Sequence, residues 1–211
     1  MTKINAVLLA GGESSRFGSD KALLYFAGMT LIEYIHNNLQ ENFSRVIVVG
    51  SKDKYSFLKE AEIREDIYQN RGPLAGIYTG LYYSESSYNF ICGCDMPFLD
   101  KDYFDFLKKE KAEEPAAEII VPRFKGYLEP LAAIYKRSLL AKIKKEILAD
   151  NLKIKSFYQN SSRRIIKEEI LKKDLTVDLE RLFFNLNYPE DREKALNYFM
   201  EGADKIAKAE K

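Results

Sequence analysis

The sequence predicts an α/β fold built on a mostly parallel sheet with covering helices. Short apolar runs alternate with amphipathic segments along the chain, which is the pattern such a sheet requires. No internal repeat and no low-complexity linker interrupts that alternation. The 211 residues are 46% hydrophobic and 13% aromatic, enough to bury a sizeable core in one unit. That unit is expected over residues 1–201, with 202–211 as a polar, Ala-, Lys- and Glu-rich tail, helical or frayed.

The first strand is expected over 4–9, where Ile4-Asn5-Ala6-Val7-Leu8-Leu9 reads as a buried run, and further strands over 45–49, 88–92 and 118–121. Thr30 followed by Glu33 forms a capping box for a helix over 31–40, with Ile32, Ile35 and Leu39 on its inner face. Helices are also expected over 74–83 and from Asp100 or Lys101 through Lys108. Arg123-Phe124-Lys125-Gly126 separates two apolar runs, as a hairpin would. A long helix over 137–148 follows. Asn187 stands where it caps a last helix, with Pro189 in the first turn and Glu190 and Asp191 set against the positive end of the helix dipole, running to about residue 200.

Thirty-three Lys and Arg balance 32 Asp and Glu, so nothing in the composition calls for a nucleic-acid-coating or membrane-hugging surface. Any anion site must be local. The two cysteines, Cys92 and Cys94, lie too close together for a good disulfide and have no third cysteine to pair with, which fits a reducing cytoplasm. No stretch reaches membrane-spanning length, and the N-terminus lacks the features of a cleaved leader.

The loop after the first strand, Leu9-Ala10-Gly11-Gly12-Glu13-Ser14-Ser15-Arg16-Phe17-Gly18-Ser19-Asp20-Lys21, has the composition of a triphosphate cradle. Gly11 and Gly12 let backbone amides approach phosphate oxygens, and Arg16 and Lys21 supply cations. The spacing differs from a Walker loop, where lysine follows the last glycine directly. Alternatively, the glycines are a plain turn and the two cations are solvated.

Cys92-Gly93-Cys94-Asp95-Met96-Pro97-Phe98 ends an apolar strand in an aspartate, at the carboxyl edge where open α/β sheets hold ligands. Asp95 is the metal candidate, because Mg²⁺ takes few protein carboxylates and completes its octahedron with phosphate oxygens and water. The bland alternative makes Asp95 a loop or cap residue. The two thiols fall short of a zinc site, and Cys92 reads as a small buried hydrophobe. Amides near Gly72 and Leu74, at a Gly-Pro helix start, are weaker candidates for contact with a base or phosphate. His36, the sole histidine, lies in a predicted helix and reads as a surface residue, so nucleophilic systems that need a histidine base are disfavoured. A phosphate acceptor needs no such base, only cations and alignment.

Together these motifs resemble the molybdenum cofactor guanylyltransferases, whose pattern L-A-G-G-x-x-x-R-M-G-x-x-K is matched from Leu9 to Lys21. The likeness continues through Gly72-Pro73-Leu74-Ala75-Gly76-Ile77, Cys94-Asp95-Met96-Pro97-Phe98, Glu129-Pro130-Leu131 and Asn185-Leu186-Asn187-Tyr188-Pro189-Glu190-Asp191, and so spans nearly the whole chain. Phe17 stands where that family usually has Met, and Tyr188 where Thr is common. The resemblance implies a Rossmann-like three-layer nucleotidyltransferase fold and transfer of GMP from Mg-GTP to the terminal phosphate of Mo-molybdopterin, giving the guanine dinucleotide and pyrophosphate. It implies GTP contacts from Leu9, Ala10, Gly11 and Lys21, a guanosine contact from Asp66, and nucleotide and Mg²⁺ binding by Asp95. Ser51 is a weaker nucleotide contact, and Asn185 and Asn187 fall on the pterin side of the cleft, although Asn187 serves equally well as the helix cap. Other cofactor-biosynthesis proteins and molybdoenzyme chaperones are implied partners. A cytidylyltransferase for the same pterin and a sugar-phosphate nucleotidyltransferase share the glycine loop, lysine and aspartate, but Gly12 favours a purine. A nucleotide-binding module without turnover is the alternative outside enzymes.

Overall fold

The computed structural model describes residues 3–11, 20–26, 28–188 and 190–209, with 201–209 traced by backbone alone. Its centre is an eight-stranded sheet. The strands are β1 (Ile4–Leu9), β4 (Val46–Val49), β5 (Glu62–Arg64), β6 (Tyr88–Gly93), β7 (Ile119–Phe124), β8 (Tyr127–Leu128), β9 (Ala132–Lys136) and β10 (Arg163–Ile166), while β2 (Tyr25–Phe26) and β3 (Met29–Thr30) make a separate small hairpin. The order is β10-β7-β9-β6-β1-β4-β5, with β8 paired to β7 alone. β9 runs antiparallel to both neighbours, and the other adjacent pairs along that path are parallel.

The alternation of side chains along β1 builds three layers. Ala6 and Leu8 face one apolar cluster with Ile32, Ile35 and Leu39 of α1 (Leu31–Asn42) and Phe104 and Leu107 of α3 (Lys101–Glu113). Val7 and Leu9 face the other, with Leu74, Ile77 and Leu81 of α2 (Gly72–Tyr83) and Ile143 and Ile147 of α4 (Leu140–Leu148). Six consecutive buried residues in β1 are what a strand covered on both faces demands. Helix α2 lies unusually close to that strand: a Cβ at Gly80 would sit 2.3 Å from Val7 Cγ1, and one at Gly76 3.1 Å from Leu9 Cδ2. Two small residues one turn apart therefore set the depth at which α2 packs.

The expected capping box is present. Thr30 Oγ1 accepts from Glu33 N–H at 3.4 Å, and Glu33 Oε2 accepts from Thr30 N–H at 2.8 Å. Asp100 caps α3 by accepting from Tyr103 N–H at 3.0 Å. The two apolar runs expected to form a hairpin or lobe pair antiparallel as β7 and β9, but Arg123 and Phe124 extend β7, which first turns through Lys125 and Gly126, both at positive φ, into β8. The helix expected over 137–148 opens as a 3₁₀ turn, Arg137–Leu139, before α4.

Two expectations are corrected. His36 is not a surface residue: one turn from Ile32, it points inward at 4% exposure, beside the helix's apolar stripe. Asn187 does not head the last helix. That helix, α7 (Asp191–Ala209), begins four residues later, and the Asp191 carboxylate reaches back to accept the N–H groups of Asn187 and Tyr188, both at 2.8 Å. Its backbone continues to Ala209, through the stretch expected as a helical or frayed tail. The sequence reading gave no forecast for β5, β10, the helices α5 (Glu168–Asp174) and α6 (Leu179–Leu182), or the 3₁₀ segment Ile154–Asn160.

Candidate active site

Parallel pairing aligns the carboxyl ends of three strands, with Leu9 opposite both Val49 and Gly93. The chain then turns out of the sheet at all three points. Ala10 N–H donates to Val49 O at 2.8 Å, and Cys94 N–H donates to Leu9 O at 3.0 Å. Ala10-Gly11, Gly50-Ser51 and Cys94-Asp95 are thereby gathered along one edge, the position at which open α/β sheets receive ligands.

Lys21 and Asp95, 74 residues apart in sequence, meet here. Lys21 Nζ lies 2.8 Å from Asp95 Oδ2, and the two side chains are 22% and 18% exposed, so the pair is sheltered yet open to a ligand. Lys21 is carried by the 3₁₀ turn Lys21–Leu23, whose N-cap Asp20 accepts from Ala22 N–H at 3.1 Å. Asp95 is folded back over its own strand end. A Cβ on Gly93 would come within 2.4 Å of Asp95 Oδ1, so only glycine leaves the carboxylate that position.

Tyr55 joins Ala10 to Asp20, described residues that lie before and after the 12–19 stretch. Its hydroxyl lies 2.8 Å from the Ala10 carbonyl and 3.2 Å from Asp20 Oδ2, and the side chain is buried. Burial pushes the Tyr55 phenol well above its ordinary pKa, which keeps the hydroxyl protonated and a donor. Lys54 Nζ adds a second contact to Asp20 Oδ2 at 3.3 Å. Ser51 caps this loop: its Oγ accepts from Lys54 N–H at 3.4 Å, and its carbonyl accepts from Tyr55 N–H at 3.2 Å. Gly50 is required beneath the ring, because a Cβ there would lie 2.8 Å from Tyr55 Cε2.

Asp66 lines the same edge. Its Oδ2 would stand 3.4 Å from a Cβ on Gly11, and its Oδ1 accepts from Thr79 Oγ1 at 3.2 Å. Burial pushes this carboxyl above the usual carboxylate range, and the Thr79 hydrogen bond works in the opposite direction. Glu129 approaches from the far side. Gly93 N–H donates to Leu131 O at 3.3 Å, which sets Glu129-Pro130-Leu131 beside the Asp95 turn. Burial raises the Glu129 carboxyl, Lys155 lowers it, and the Asp95 charge raises it further. Cys94 is buried, and desolvation pushes its thiol up to about 12, so it acts as packing rather than as a thiolate ligand.

The C-terminal asparagine segment closes the edge through its backbone. Leu186 N–H donates to the Asp95 carbonyl at 2.9 Å, Asn185 Nδ2 donates to Phe183 O at 3.0 Å, and Asn187 is exposed. The structure thus gathers Leu9, Ala10, Gly11, Lys21, Ser51, Asp66 and Asp95, with Asn185 and Asn187 flanking Leu186. Gly12 and Arg16 lie outside the described residues. Sequence reasoning missed Tyr55, Thr79 and Asp20 as supports. It quoted Glu129 only as part of a motif, and that motif was the available signal for it.

Among the described residues no group of three or more His, Cys, Asp or Glu could hold a metal ion. A cation here would take one or two carboxylates and fill its remaining positions with phosphate oxygens and water, a donor set that suits a small hard divalent ion. Among the same residues, no helix is long and apolar enough to cross a membrane.

A three-layer α/β sheet with a lysine and an aspartate paired at its carboxyl edge, beside Gly11, is the arrangement of a nucleotidyltransferase. The chain belongs to the family described as the MobA-like NTP transferase domain, whose model matches residues 6–166. Enzymes of this kind generally depend on a divalent metal. A relative from Carboxydothermus hydrogenoformans named "Probable molybdenum cofactor guanylyltransferase" is 34% identical over 199 residues, covering 94% of this chain and 98% of that one. Another from Desulfosudis oleivorans, named "Molybdenum cofactor guanylyltransferase", is 32% identical over 197 residues, covering 92% and 95%. The crystal structure of molybdopterin-guanine dinucleotide biosynthesis protein A from Archaeoglobus fulgidus superposes with a TM-score of 0.82 at 26% identity, covering 94% of this chain and all of that one.

Proposed function

We propose that this enzyme transfers GMP from GTP, with Mg²⁺, to the terminal phosphate of Mo-molybdopterin, releasing pyrophosphate and forming molybdopterin guanine dinucleotide. The names of its relatives support the substrates, and the direct pairing of Lys21 with Asp95 carries the mechanism. Without nucleotide the two charges neutralise each other. With nucleotide, Lys21 would exchange the carboxylate for phosphate oxygens, and Asp95 would hold the Mg²⁺. The cation supplies charge neutralisation at the triphosphate.

In this reading Leu9, Ala10, Gly11 and Gly12 present backbone to the phosphates, Arg16 adds a cation, and Asp66 and Ser51 meet the nucleoside portion. Asn185 and Asn187 border the acceptor. An oxygen of the acceptor phosphate attacks the α-phosphorus, the α–β bridging P–O bond breaks, and pyrophosphate leaves with the bonding pair. The acceptor is already ionised, so no general base is needed. That requirement agrees with a site edge whose described residues include no histidine, His36 being buried in α1. The protein's work is to suppress anion repulsion and hold the attack in line.

The test is incubation with GTP, Mg²⁺ and molybdopterin while pyrophosphate and dinucleotide are followed. GTP-dependent dinucleotide is the expected product. Faster turnover with CTP would reassign the base, and no product with any nucleotide would overturn the proposal.

A further inference from the structure

Helix α2 carries a threonine that the motif comparison does not single out. Thr79 is fully buried at 0% exposure, and its hydroxyl has two partners: it accepts from Ile67 N–H at 3.1 Å and faces Asp66 Oδ1 at 3.2 Å. A carboxylate and an N–H leave the single hydroxyl proton one use, which is donation to Asp66. The hydrogen bonds therefore run in one direction, from Ile67 N–H to Thr79 and from Thr79 to Asp66.

Thr79 is itself held rigidly. The next residue, Gly80, lies so close to Val7 that an added Cβ would fall 2.3 Å from Cγ1, so α2 has no room to slide on β1. Asp66 precedes Ile67 in the stretch between the short strand β5 and α2, outside any helix or strand. With Oδ1 bound to Thr79, Oδ2 is the oxygen presented to Gly11 and the cleft.

We propose that Thr79 is a positioning residue for nucleotide recognition: its hydroxyl locks the Asp66 carboxylate in the orientation that meets the nucleoside of GTP. The inference rests on the reading of Asp66 as a nucleoside contact given above. A group ordered before the ligand arrives spares the cost of ordering it on binding, so the effect belongs in GTP affinity rather than in the chemical step.

The test uses the full chain in four variants, Thr79→Val, Thr79→Ser, Asp66→Asn and the double variant Thr79→Val/Asp66→Asn, with GTP binding measured by calorimetry and turnover by pyrophosphate release. Valine keeps the volume and loses the hydroxyl; serine keeps the hydroxyl. Thr79→Val is expected to raise the GTP Kd and KM about five- to tenfold, the scale of one ordinary net hydrogen bond. Its kcat at saturating GTP should stay near the parent's, and Thr79→Ser should bind GTP as the parent does. In the Asp66→Asn background, Thr79→Val should add little, because both changes remove the same interaction. If Asp66→Asn weakens GTP binding while Thr79→Val does not, or if the two losses simply add, the positioning role is overturned alone. If Asp66→Asn itself binds GTP normally, the nucleoside role of Asp66 falls and the inference falls with it.

Discussion

Replacing Tyr55 with phenylalanine isolates one atom of the site's scaffold. The ring is 1% exposed and seated over Gly50, so Phe keeps the packing and loses only the hydroxyl. Asp20 would keep Lys54 at 3.3 Å and Ala22 N–H at 3.1 Å, so the group deprived of this donor is the Ala10 carbonyl, 2.8 Å away. Depriving a buried acceptor costs about 1–3 kcal/mol. At about 2–4 °C per kcal/mol for a chain of this size, Tm should fall by about 2–12 °C. The hydroxyl also stands between Ala10 and Asp20, which caps the 3₁₀ turn carrying Lys21. GTP affinity should therefore fall beyond what lost stability alone produces. Differential scanning fluorimetry with and without Mg-GTP measures both, since ligand stabilisation follows affinity. A variant with the parent's Tm and the parent's GTP-induced shift would refute the role given to the hydroxyl.

Lys21→Ala and Asp95→Ala should each lower pyrophosphate release by about 100-fold or more while circular dichroism stays unchanged, the scale of losing a preorganised charge; retained turnover in either contradicts the assignment. Gly93→Ala should displace the Asp95 carboxylate, whose Oδ1 would lie 2.4 Å from the new Cβ, and raise the Mg²⁺ concentration needed for half-maximal activity; an unchanged metal titration would show that the carboxylate has room to move. His36 is buried, its Nε2 has no hydrogen-bond partner among the described residues, and burial lowers its proton affinity. The unfolded chain thus takes up a proton that the folded chain refuses, so its share of stability is complete above the unfolded value of about 6.5 and is lost as pH falls below it. Between pH 7.5 and 5.5 the urea midpoint of the parent should drop further than that of His36→Leu, and equal drops would contradict this.

The parts of the fold that sequence announces are those where one local rule decides. β1 is apolar at nearly every position because both faces are covered, and α1 carries its start signal in Thr30 and Glu33. β5 and β10 hold Glu62, Arg64, Arg163 and Arg164, and edge strands of that composition look like loop until their neighbours are known. His36 follows Ile35 and lies one turn from Ile32 on the helix, so its inward turn is geometrically natural, but polarity alone argues for the surface. Asn187 has the chemistry of a cap, and the helix nevertheless starts at Asp191, which accepts the loop amides itself.

The site divides in the same way. Lys21 and Asp95 were legible as chemistry, each after an apolar strand, and their contact follows from β1 and β6 pairing in parallel register. Tyr55 and Thr79 were not. Their partners lie 45 and 13 residues away, and neither sits in a local pattern that marks a buried hydroxyl aimed at a loop. Gly93 was visible as a residue between two cysteines, but its reason, the close return of Asp95, appears only in three dimensions.

The most direct measurement of the central claim is a crystal structure of the chain soaked with Mg²⁺ and a non-hydrolysable GTP analogue. The account predicts one nucleotide at the carboxyl edge of β1 and β6, with Lys21 Nζ on a phosphate oxygen and Asp95 on a metal shared with the same triphosphate. A nucleotide bound elsewhere, or bound here with the Lys21–Asp95 contact intact and neither residue touching phosphate or metal, would contradict it.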